Sequence, residues 1–119
     1  MTTPAAVQTD QQQYVRAVLR CYTRLPHTPN RSSSHDRRLA LQLFEQQVPL
    51  DAVKAAFVLA ISRRTFRPLQ AAPLGPIRSL AYFLPVIDEV QLIGVDPLYI
   101  DHLKRRLESG IPIPAPIPW

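Results

Sequence analysis

Residues 49–67 read PLDAVKAAFVLAISRRTFR, and this run decides the fold class. Val53, Ala56, Phe57, Ala60 and Ile61 recur at i, i+3 and i+4, the spacing that lines up apolar side chains along one face of a helix. Pro49 opens the run, where a missing N–H costs nothing. Arg63 and Arg64 close it at the negative helix end, and Arg67 stands just ahead of Pro68, beyond which 68–76 is too proline-rich to be helical.

The helical period continues on both sides. Upstream, Thr9 with Gln12 forms a capping-box pair, predicting a first helix from about Asp10 to Leu25 that ends before Pro26. Tyr14, Val15, Val18, Leu19, Tyr22 and Leu25 share one arc, with Cys21 at its edge, and Arg16, Arg20 and Arg24 take the opposite arc. After a loop, PHTPNRSSS, Ser33 caps a second helix, HDRRLALQLFEQQ, with Asp36 in its first turn. Leu39, Leu43 and Phe44 point inward there.

Downstream, a fourth helix is expected from about Pro76 to Leu92. Ile77, Leu80, Leu84 and Ile87 form its stripe, and Phe83 and Val90 widen it. So broad an apolar girth predicts the central helix of the bundle. Pro85 in its middle predicts a kink that frees the Ala81 carbonyl. Gly94 breaks the chain, and Asp96-Pro97 starts a fifth helix running to Gly110, with Tyr99, Ile100, Leu103 and Leu107 inward.

The expected architecture is therefore all-α: a compact bundle of about five helices with Pro-rich loops. Residues 10–110 form a single domain, 1–9 a loose arm, and 111–119, IPIPAPIPW, an extended tail near polyproline II. Alternation outside that tail is absent, and proline there forbids an ordinary ladder.

Composition narrows the function. The chain has 119 residues, enough for one domain and too short for two. Its single cysteine excludes an internal disulfide or a thiolate zinc site. No apolar run is long enough to span a membrane and the N-terminus lacks the regions of a signal peptide, so a cytoplasmic location is expected. With three glycines in all, phosphate-cradling glycine loops are hardly available. His27, His35 and His102 have no partners at metal-ligand spacing, and Asp88-Glu89 are neighbours that do not converge. Cys21 would need a base and an electropositive setting to act as a nucleophile, and although Arg20 and Arg24 are near in sequence it reads as a small, half-buried hydrophobe. Catalytic residues, metal ligands and cofactors are accordingly all expected to be none.

Arginine is the stronger signal. The net charge is +5, and 12 of the 14 basic residues are Arg, whose planar fork suits phosphate. Residues 1–78 carry a balance of +7 and residues 79–119 a balance of −2, so the basic character belongs to the first three helices. Arg16, Arg20 and Arg24 have no acid one turn away. Arg31, Arg37 and Arg38 flank a serine-rich helix start, a sensible phosphate grip. With Arg63, Arg64 and Arg67 they make the candidate nucleic-acid contacts, directed at the backbone because no base-reading pattern is evident.

The runs VPLDAVKAAFVLAISRRTF and PIRSLAYFLPVIDEV resemble the C-terminal helical domain of DnaD-like primosomal proteins over about residues 48–92. That family carries a helix with Tyr, Ile four residues on and Trp four further on, and Tyr82, Val86 and Val90 occupy those places. Val90 departs from the tryptophan, and Pro85 interrupts the helix. The resemblance implies DNA binding and contact with replication proteins, without catalysis.

These readings point to a non-catalytic DNA-binding accessory protein of replication or a mobile element, with DNA favoured over RNA. Partner proteins of a replication, transposition or effector complex are expected, no membrane is, and self-association stays open. One rival is an interaction adaptor using Ile113, Ile117 and Trp119 of the stiff tail. Another is a helical subunit of a ribonucleoprotein effector complex of the CRISPR kind.

Overall fold

The computed structural model describes residues 4–68, 70–71 and 74–109. Its helices are α1 (Pro4–Arg24), α2 (Ser34–Glu45), α3 (Leu50–Thr65), α4 (Leu84–Ile93) and α5 (Pro97–Ser109), with a 3-10 turn over Leu80–Phe83 ahead of α4. Among the described residues there is no strand, so the all-α expectation holds.

α3 is the axis of the bundle. Besides the predicted stripe of Val53, Ala56, Phe57, Ala60 and Ile61, it buries Leu59 and Ser62. A helix buried over that much of its girth needs neighbours on several sides, and α1, the 3-10 turn, α4 and α5 all pack on it. The central place expected for the fourth helix therefore belongs to the third.

α1 starts at Pro4, well ahead of the predicted start near Asp10, so Thr9 lies inside the helix. Proline is preorganised for a first helical position, which explains the earlier start. Val15, Val18 and Tyr22 are buried as expected. The Tyr14 hydroxyl donates to the Val48 carbonyl at 2.8 Å, and its ring meets Phe44 edge-on at 5.4 Å, fastening α1 to the end of α2. Beyond α1, Thr28 Oγ1 donates to the carbonyls of Tyr22 and Leu25 and satisfies the helix end.

The start of α2 holds more than the cap the sequence promised. Asp36 receives the Ser33 backbone N–H on Oδ2 at 2.9 Å, and Ser33 Oγ in turn accepts from the Asp36 N–H at 3.2 Å, a reciprocal capping box. The other oxygen, Oδ1, accepts the Leu80 N–H at 2.8 Å. Asp36 is only 2% exposed, so one buried carboxylate joins the first turn of α2 to the 3-10 turn 44 residues later.

The fourth helix is the main correction. Residues 74–79 are not helical, Ser79 caps the 3-10 turn by accepting the Ala81 N–H, and α4 begins only at Leu84. Pro85 therefore sits in a first turn, where it is tolerated, and no kink forms. The Ala81 carbonyl accepts the Leu84 N–H, so it is not left free. Phe83 then meets Phe57 at 4.9 Å and Tyr22 at 6.1 Å, both edge-on, forming the aromatic centre of the core. Gly94, at φ 78°, ends α4, and Asp96 Oδ1 caps α5 by accepting the Leu98 N–H at 2.9 Å. The tail and its Ile113, Ile117 and Trp119 lie outside the described residues. Among the described residues, no helix is long and apolar enough to cross a membrane.

Replacing Asp36 by alanine removes the carboxylate half of the capping box, freeing the Ser33 N–H, and strands a buried Leu80 N–H. The expected loss is about 3 kcal/mol of unfolding free energy, read by urea titration. Tyr22 supplies a separate test. Burial, with the Asp36 charge as the smaller cause, pushes its hydroxyl up from 10.0 to about 12. A raised folded-state value means that the folded protein keeps its proton longer than the unfolded chain. Stability from this group is thus intact below pH 10.0 and lost as pH climbs to about 12. Tyr22→Phe should flatten that part of the alkaline decline in thermal unfolding.

Candidate nucleic-acid interface

α1 and α2 pack side by side, and on their outer side they enclose a groove of about 910 Å3. Arg16 and Arg20, one turn apart on α1, line it together with Arg37 from the first turns of α2. Beneath these exposed guanidiniums lie Val15, Leu19 and Leu41, which are buried or half-buried. Gln12 and Ser32 add an amide and a hydroxyl, while Thr23 donates its own hydroxyl to the Arg20 carbonyl at 3.2 Å. Among the described residues no carboxylate lines the groove, and none of the three arginines has an ion-pair partner. The result is a concave, positively charged strip with an apolar floor.

The local cause is the registry of α1. Val15 and Leu19 face the packed side, and each is followed directly by an arginine, 100° further round the helix. Arg16 and Arg20 therefore emerge at the margin of the α1–α2 contact, not on the opposite arc expected from the sequence. Arg37 follows the buried Asp36 in the same way. Arginine at such a margin keeps its aliphatic stem on apolar surface and its fork in solvent.

The other predicted arginines divide. Arg24, Arg31 and Arg38 are exposed but outside the groove lining. Arg67 is half-buried at the end of α3. Arg63 makes a two-pronged contact with Glu89 of α4, through a 3.0 Å bond from one terminal nitrogen to Oε1 and a second bond to Oε2. The hydrogen bonds from Arg63 hold the Glu89 carboxyl below its ordinary range, and the same contact raises Arg63. Arg64 donates to the Gly75 carbonyl and lies 5.8 Å from the centre of the Tyr82 ring. These two arginines brace the connector and α4, so the structure does not bring them to the groove.

The serine-rich helix start also reads differently in three dimensions. Ser33 spends its hydroxyl on Asp36, donating to Oδ2 at 3.1 Å, and the Asp36 carboxylate already occupies the positive end of α2. The helix terminus is therefore not open to phosphate, whereas Ser32 next door does face the groove. Sequence reasoning missed Gln12, Thr23 and Leu41. Their only advance signal is an i, i+4 relation to Arg16, Leu19 and Arg37, which acquires meaning once α1 and α2 are paired.

Among the described residues, no three His, Cys, Asp or Glu side chains cluster as metal ligands. Tyr82 sits in the 3-10 turn, while Val86 and Val90 lie in α4, so the three positions of the family resemblance do not share one helix. Comparisons with family models, curated proteins and solved structures gave no match.

The Arg63–Glu89 pair is exposed, so a double-mutant cycle of Arg63→Ala and Glu89→Gln should give a coupling of only about 0.5 kcal/mol. That coupling should shrink in high salt and as pH falls through the lowered Glu89 value, because protonation removes the acceptor charge.

Proposed function

We propose that this protein is a non-catalytic nucleic-acid-binding accessory protein whose α1–α2 groove grips the phosphate backbone. One observation carries the reading: Arg16, Arg20 and Arg37, from two helices, converge on one groove with no carboxylate in its lining among the described residues. An arginine that only solvates a helix face has no need of such company. Arginines used structurally in this chain look different, as the bonds from Arg63 to Glu89 and from Arg64 to Gly75 demonstrate. Guanidinium forks suit phosphate oxygens geometrically, and neighbouring amides and hydroxyls add neutral hydrogen bonds to phosphate and sugar.

The groove offers no ordered set of base-reading side chains, so binding is directed at the backbone. DNA is favoured over RNA as the partner, in replication or in a mobile element. The DnaD-like resemblance points the same way, but the proposal does not need it. Arg24, Arg31 and Arg38 extend the positive field beyond the groove and act mainly on the rate of encounter.

Fluorescence polarisation with labelled duplex and single-stranded oligonucleotides across a salt series tests this. Three engaged arginines predict that log K falls with log salt at a slope of about −3 on duplex DNA. Arg16→Ala, Arg20→Ala and Arg37→Ala should each weaken binding similarly on all sequences and make the slope shallower by about one. Arg63→Ala should leave affinity unchanged. Absence of binding at low salt, or equal losses from Arg63→Ala and Arg20→Ala, removes the proposal.

A further inference from the structure

The corner between α4 and α5 presents the most exposed large apolar residues of the described chain. Leu92 is 86% exposed, Ile93 79% and Leu98 73%. Isolated surface leucines need no explanation, but three within seven residues at one bend form a patch. Three aspartates flank it, with the exposed Lys104 and Arg105 further along α5. Asp88 lies one turn before Leu92, Asp101 one turn after Leu98, and Asp96 caps the Leu98 N–H. All three are exposed, whereas Glu89 is already engaged by Arg63.

This corner is the counterpart of the α1–α2 groove in the pairing of apolar and charged groups. The corner exposes Leu92, Ile93 and Leu98 beside Asp88, Asp96 and Asp101. The groove is concave, with Val15, Leu19 and Leu41 beneath Arg16, Arg20 and Arg37. The charge split along the chain, +7 for residues 1–78 and −2 for residues 79–119, has the same polarity. Within one molecule, α4 and α5 pack on α3, with no comparable packing on α1 or α2, so the corner does not sit in its own groove.

The geometry points to head-to-tail self-association: the α4–α5 corner of one copy seats in the α1–α2 groove of a second copy. The partner is this same chain, held by apolar contact at the centre and arginine–carboxylate pairs at the margin. Repeated head to tail, this contact is heterologous and builds a ring or an open string. The groove is the one assigned to nucleic acid above, so a bound strand and a seated corner exclude each other.

Sedimentation velocity of the full chain, without nucleic acid, tests the association separately from the binding reading. The average mass should rise with protein concentration, and high salt should weaken association about tenfold by screening the marginal pairs. A corner variant, Leu92→Ser with Leu98→Ser, and a groove variant, Arg16→Glu with Arg20→Glu, should each stay monomeric alone. Mixed in equal amounts they should form a dimer that grows no further, because one supplies an intact groove and the other an intact corner. Leu92→Gln with Leu98→Gln and Arg16→Gln with Arg20→Gln give the milder pair, should circular dichroism show either first variant unfolded. A wild-type chain that remains monomeric at all concentrations overturns the proposal. So does a corner variant that still associates, or a mixture that fails to pair. In any of these cases, oligonucleotide binding to the groove would stand or fall on its own titration.

Discussion

One buried carboxylate sets the geometry of this fold. Asp36 closes the first turn of α2 through Ser33 and reaches across to the Leu80 N–H at the entrance of the 3-10 turn. Burying an aspartate is costly unless its lone pairs are occupied, and here both oxygens are hydrogen-bonded. That requirement makes the contact directional. Greasy packing of α2 against the 3-10 turn tolerates sliding, but a carboxylate that must meet two backbone N–H groups and a hydroxyl permits one register. With that register fixed, Phe83 enters the core against Phe57 and Tyr22, and α4 leaves the turn on the correct side of α3.

The same contact shapes the groove indirectly. Asp36 faces inward, so Arg37, the next residue, is turned outward along the α1 side of α2. Arg16 and Arg20 stand next to Val15 and Leu19 in a similar relation. Each guanidinium is thus placed by a buried or half-buried neighbour one residue before it, which gives the groove a packed base although its charges are solvated. Arg63 and Arg64 have a different origin. They end a helix whose last turn abuts the connector and α4, and they find a carboxylate and a carbonyl there. Arginines alike in sequence therefore divide by what their helix packs against.

Much of the fold was legible because it is local. The stripe of α3, the cap at Ser33, and the Asp96-Pro97 start of α5 each depend on residues within one or two turns. Pro85 misled for a related reason. A stripe through Ile77, Leu80, Leu84 and Ile87 satisfies helical spacing, yet an i+3 turn followed by an α-helix buries nearly the same set. Long-range bonds distinguish the two, the Leu80 N–H to a side chain 44 residues away and the Ile77 N–H to the His27 carbonyl, and no periodicity encodes them. The site was legible as a residue type and not as a place. Arginine excess and the absence of local acids can be read from the sequence, but which guanidiniums share a groove depends on how α1 and α2 dock.

The charge balance is +7 over residues 1–78 and −2 over residues 79–119, and because α5 itself carries three bases against two acids, the negative character is confined to α4 and the turn into α5. The proposed self-association and the proposed polyanion binding would be two uses of one asymmetry. Each would replace water at the same three guanidiniums, and each would bury Val15, Leu19 and Leu41 further. Their salt dependences differ in kind. A polyanion releases condensed counterions when bound, so its affinity falls steeply and linearly on logarithmic axes. Discrete carboxylates carry no such atmosphere, and the apolar centre of a seated corner is not weakened by salt. If both proposals hold, raising ionic strength would shift the groove from strand toward corner.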